Sequence, residues 1–127
     1  MNADAKVRET ILEIMEKIKQ QYQPSKIVLF GSYAYGQPDR DSDIDLLIIK
    51  DTSERPIDRR VTVARMVSDP KRLIPFEPIV LTPEEVRERI EVGDQFLKEI
   101  LDKGEVLYEE RGVPLSPRLV QDRTQGA

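Results

Sequence analysis

The sequence predicts a small α/β (α+β) domain, a mixed β-sheet flanked by helices. Three observations predict it. Apolar residues recur at three-to-four spacing over residues 4–22 and again in the second half of the chain. Short runs of β-branched and apolar residues fall at 26–30, 43–50, 73–81 and 105–109. The two patterns alternate, giving the order α, β, turn, β, α, β, α, α, β, which suits one sheet.

Each element has its own reason. Val7, Ile11, Ile14, Met15, Ile18 and Tyr22 mark one buried face of a first helix, which Pro24 ends. Lys26 to Phe30 reads as a buried strand stopping at Gly31-Ser32, and the turn-rich Gly36 to Ser42 leads into a second strand at Asp43–Lys50. Ile57, Val61, Ala64 and Val67 place a helix over 57–69, stopped before Pro70. The third strand, 73–81, contains Pro75 and Pro78, which suggests an edge or a bulge. Thr82-Pro83-Glu84-Glu85 is a helix start with a capping box. That helix breaks near Gly93 and resumes through Phe96, Leu97, Ile100 and Leu101 to a cap at Gly104, before a last strand at 105–109. Residues 1–110 are expected to form the domain and 111–127 a flexible C-terminal tail.

Composition narrows the chemistry. The 127 residues suit a single domain. There is no Cys and no His, which excludes disulfides, thiolate nucleophiles, imidazole bases and Ser-His-Asp triads. A bound metal must be held by oxygen, which favours Mg²⁺, Mn²⁺ or Ca²⁺. Twenty basic and 24 acidic residues give a net charge of −4, which speaks against a general nucleic-acid coat protein. No apolar run approaches the roughly 20 residues of a membrane span, and MNADAKVRET carries no leader-like apolar segment. A cytoplasmic location is expected.

One constellation carries chemistry. Gly31-Ser32 closes the first strand, ten residues intervene, and Asp43-Ile44-Asp45 follows. Side chains alternate along a strand, so Asp43 and Asp45 share a face, roughly 6–7 Å apart at the backbone. Two like charges there stabilise a fold poorly but can hold two divalent cations about 3.5–4 Å apart. Gly31 permits close approach of a phosphate. Ser32 offers a hydroxyl and an N–H, at the start of a short helix around 32–35. Ser42 is a further nucleotide-binding candidate, or a hydrogen-bond partner of Asp45. Glu77, an isolated carboxylate in an apolar strand, would complete a three-carboxylate site and could act as a base. Tyr33 and Tyr35 either meet a base or cover a core edge. Arg55, Arg59, Arg60, Arg65, Lys71 and Arg72 read as a solvated basic helix face.

GSYAYGQPDRDSDIDLLI, residues 31–48, resembles the signature of the minimal nucleotidyltransferases of the DNA polymerase β superfamily. IPFEPIVLTPEEV, residues 74–86, is similar to that family's third-carboxylate strand and following helix, and EILDKGEVLYE, residues 99–109, to its closing helix and strand. The resemblance implies the nucleotidyltransferase fold and transfer of a nucleoside monophosphate from a nucleoside triphosphate, with two Mg²⁺ ions. Carried over by position, Asp43, Asp45 and Glu77 would be catalytic metal ligands, and Gly31 and Ser32 would contact the triphosphate. The third carboxylate is Glu where Asp is commoner, and Pro78 follows it.

Stand-alone members of this kind are often paired with a helical HEPN ribonuclease toxin. The resemblance therefore implies transfer of AMP from ATP to a toxin tyrosine, in an antitoxin role, with the acceptor supplied by another chain. Two alternatives stand beside it: nucleotidyl transfer to a small molecule such as an aminoglycoside, and a non-catalytic nucleotide-binding antitoxin acting by contact. A homo- or hetero-oligomer is compatible with either protein-directed role.

Overall fold

The computed structural model describes residues 1–110; the expected tail, 111–127, lies outside them. Helix α1 (Ala5–Tyr22) starts where the Val7 N–H donates to the Asp4 carboxylate, 2.9 Å away. It ends at Gln23, which takes the left-handed conformation just before Pro24. Four strands follow in chain order: β1 (Lys26–Phe30), β2 (Ile44–Ile49), β3 (Phe76–Leu81) and β4 (Glu105–Glu109). Their spatial order is β3-β2-β1-β4. β1 lies antiparallel to both β2 and β4, whereas β2 and β3 are parallel. The parallel pair is joined through α2 (Pro56–Met66), as a crossover must be. Helices α3 (Pro83–Glu91) and α4 (Gln95–Lys103) connect β3 to β4.

Strand alternation divides the core in two. Ile27 and Leu29 of β1 with Ile44, Leu46 and Ile48 of β2 face α1 and α2, meeting Ile11, Ile14, Ile18 and Val63. Val28, Phe30, Leu47, Ile49 and Leu81 face the other way, against Leu97 and Ile100 of α4. The fold class read from the sequence is therefore the one observed, a mixed four-stranded sheet flanked by helices. Among the described residues, no helix is long and apolar enough to cross a membrane.

Proline and glycine set the local departures. β3 begins at Phe76 rather than 73: Asp69 organises a turn through Arg72 and Lys71, and Leu73 is left 94% exposed. α2 likewise stops at Met66, short of 69. Pro78 lies in β3, an edge strand, as proline requires. The capping box at Thr82–Glu85 forms in both directions. Gly104 caps α4 with an extended backbone rather than a left-handed one. What requires glycine there is space, since an added Cβ would lie 2.4 Å from the Ile100 carbonyl oxygen and 2.6 Å from Val28 Cγ1.

The basic middle of the chain is not uniformly a solvated face. Arg59 is only 5% exposed. Its guanidinium donates to the Glu54 carbonyl at 2.8 Å and to the Glu85 carboxylate at 2.7 Å, linking α2 to the start of α3. Partial burial pushes the Glu85 carboxyl up, but the hydrogen bonds from Arg59 and Thr82 outweigh it and hold the group below its ordinary value.

Candidate active site

The site starts where β1 ends. Gly31 adopts φ +75°, a conformation open to glycine, and turns the chain sharply. Its carbonyl accepts from the N–H groups of Ala34, Tyr35 and Gly36 at 3.1, 3.1 and 3.3 Å, so residues 31–36 close into a single turn. Ser32 opens this turn, not a helix. The reason is visible at Gly36, where an added Cβ would lie 2.9 Å from Ser32 Cα: the segment doubles back too tightly to propagate.

Gly31 and Asp45 are in direct apposition. A Cβ on Gly31 would lie 2.3 Å from Asp45 Oδ2. The carboxylate thus rests in the space that a side chain at 31 would fill. Register places Asp45 in a row across three strands, opposite Phe30 of β1 and opposite Glu77 of β3. Asp43 stands two residues earlier, half-buried at the mouth of β2. Burial, then the negative charges of Asp43 and Glu77, push the Asp45 carboxyl up to about 6. The strand end therefore holds concentrated negative charge against an open backbone turn.

The family model for the nucleotidyltransferase domain matches residues 10–107. The chain belongs to the nucleotidyltransferase domain family. In its fold it is similar to the crystal structure of a candidate nucleotidyltransferase from Sulfolobus solfataricus. The two share 20% identity and a TM-score of 0.56, over 84% of this chain and 85% of the other. No curated protein matches the sequence.

In this nucleotidyltransferase domain the expected site residues do not all converge. Asp43, Asp45, Gly31 and Ser32 meet at the β1–β2 end of the sheet. Glu77 reaches the same row by register, but its carboxylate is ion-paired with Arg60 of α2. Among the described residues no three carboxylates are gathered closely enough to form a ready metal cluster. Ser42 is turned away: its Oγ accepts from the Asp39 N–H at 2.8 Å and bonds the Asp39 side chain rather than Asp45. Tyr33 is buried in the core behind the turn, and Tyr35 packs on the second core cluster, so both cover a core edge.

The donor set suits a hard divalent cation. It consists of carboxylate oxygens alone, and the charge that raises Asp45 is what such a cation would neutralise. Asp43 and Asp45 would hold it, with Glu77 joining on release from Arg60. Sequence reasoning missed Arg60 as a partner of this site. The one available signal was topological: a crossover helix between parallel β2 and β3 must pass over that pair of strands.

Proposed function

We propose that this nucleotidyltransferase transfers AMP from ATP to a tyrosine hydroxyl of a partner HEPN ribonuclease, silencing it as an antitoxin does. One observation carries the reading: Asp45 is seated against Gly31 and flanked by the charges of Asp43 and Glu77. The likeness of residues 31–48 to the minimal nucleotidyltransferases supports the choice of acceptor.

In this reading the Gly31–Gly36 turn receives the triphosphate. Its Cβ-free start lets phosphate oxygens approach the backbone, and Ser32 offers its hydroxyl and N–H. Asp43, Asp45 and Glu77 would hold magnesium, which would supply charge neutralisation for the triphosphate and the departing pyrophosphate. The tyrosine oxygen forms a bond to the α-phosphorus while the bond between the α-phosphorus and the bridging oxygen to the β-phosphate breaks, and pyrophosphate leaves. Glu77, once released from Arg60, would take the phenolic proton.

The test is incubation with α-labelled ATP, Mg²⁺ and the protein encoded beside this chain. Label is expected on one tyrosine of that protein. Asp43→Ala and Asp45→Asn are expected to reduce labelling on the order of 100-fold or more. An unlabelled neighbour with the wild-type chain would sink the reading. A second reading draws on the Arg60–Glu77 ion pair: with its third carboxylate engaged, the domain would bind ATP and neutralise its partner by contact. ATP binding without pyrophosphate release is the outcome that separates the two.

A further inference from the structure

The end of the sheet that carries Asp45 also carries an aromatic side chain that the carboxylate site does not use. Phe96, in the first turn of α4, is 54% exposed. Its ring meets Phe30 edge-on, with centroids 5.8 Å apart and planes at 82°. Phe30 itself is buried, precedes Gly31 and lies opposite Asp45 in the β1–β2 register. Topology explains the placement. α3 starts at the far end of β3 and runs back, and Gly93, at φ +82°, turns the chain into α4. Val92, beside that turn, is 83% exposed. A large apolar ring is thus braced by one aromatic contact and more than half exposed, with Phe30 between it and Asp45.

We propose that Phe96, braced by Phe30, is the seat of the nucleobase of the triphosphate substrate. The proposal rests on the nucleotidyl-transfer reading of the Asp45 site and adds to it the part of the substrate that the carboxylates cannot recognise. Adjacent side chains in a strand pair are about 5 Å apart, and Phe96 lies one ring-to-ring contact further on. A ribose bridges such a gap between an α-phosphate at Asp45 and a base at Phe96. Continuity with the site selects this occupant over others: Phe30 is at once the register partner of Asp45 and the ring against which Phe96 packs. A base stacked on a ring with few χ angles to lose gains affinity at low entropic cost, and the pairing with Phe30 removes most of that cost in advance. Stacking reads a π-face rather than a hydrogen-bonding edge, so the seat accepts nucleoside triphosphates as a class without selecting among the bases.

Calorimetric binding of Mg²⁺-ATP and of Mg²⁺-tripolyphosphate to the full chain tests this. Phe96→Ala is expected to weaken ATP about 10-fold or more and to leave tripolyphosphate, which has no base, within about twofold. Phe96→Tyr is expected to retain ATP affinity. ATP affinity unchanged in Phe96→Ala overturns the proposal, as does equal weakening of both ligands, which marks a structural role. Loss of partner labelling with intact ATP affinity also overturns it, by placing Phe96 on the acceptor surface. Failure of the site reading looks different: wild type would bind neither ligand, or Asp45→Asn would bind both as wild type does.

Discussion

The two faces of the sheet are built from the same strands and treated in opposite ways. On one face α1 and α2 close over Ile27, Leu29, Ile44, Leu46 and Ile48, and most of that surface is dry. On the other, α4 covers Val28, Phe30, Leu47 and Ile49, but Asp45 and Glu77 at the strand ends are left partly exposed. β2 shows the contrast within three residues. Ile44 and Leu46 are fully buried, while Asp45 between them carries a perturbed carboxyl. A strand anchored on its closed face can hold strained charge on its open one. The stability cost of the carboxylates is met by residues that alternate with them.

The sharpest way to break this comparison is to excavate the closed face. Leu46→Ala is expected to cost about 2–5 kcal/mol, measured by urea unfolding. Ile79→Ala, on the partly covered face, is expected to cost about 1 kcal/mol. Equal losses would show that the faces share the load evenly.

Next in size is Gly31→Ala, which combines a left-handed backbone with a Cβ 2.3 Å from Asp45 Oδ2. Strain of about 1–3 kcal/mol is expected, with displacement of the carboxylate. Calorimetry should then show weakened ATP binding at a temperature where the variant remains folded. A variant with unaltered ATP affinity would mean that the apposition of Gly31 and Asp45 does not matter for the nucleotide.

The smallest effect concerns pH. The Asp45 carboxyl is raised in the folded chain from an ordinary value of 3.8 to about 6. Below pH about 4 it is protonated folded or unfolded, and it carries no penalty. As pH rises through 6 it must ionise among Asp43 and Glu77, and the folded state loses stability. In chelator, Asp45→Asn is therefore expected to stabilise the protein above pH 6, on the order of 1 kcal/mol after allowance for solvent screening. The gain should vanish near pH 4. Thermal melts across that range decide it, and a gain independent of pH would remove the charge explanation.

The parts of this picture written in local patterns were legible in the sequence. The Gly31-Ser32 turn, the Asp43-x-Asp45 pair, the Thr82–Glu85 capping box and the edge position of Pro78 each depend on a few neighbouring residues. What local pattern could not supply is who meets whom across the fold. Arg59 and Arg60 are adjacent and alike, yet one is buried against Glu85 and the other pairs with Glu77 at the surface. The choice depends on the rotation of α2 over β3, fixed by Val63 and Val67 in the core. The hydrogen-bond partner of Ser42 differs from the expected Asp45 for a related reason. A hydroxyl beside two carboxylates can serve either neighbour, and the tight Asp39–Ser42 turn captured it. The start of β3 moved because the exposed Leu73 looks, in sequence, like any other strand residue.

Pro78 has a consequence for how other chains can approach. The β2–β3 ladder runs from Phe76 to Leu81 without a register shift, so the N–H that proline lacks is one that would have faced outward. The outer rim of β3 has a missing donor at its centre, with the charged Glu77–Arg60 pair beside it. A strand trying to extend the sheet there finds a broken hydrogen-bond row and a charge to desolvate. The rim nearest the carboxylates is thereby protected from sheet-to-sheet aggregation.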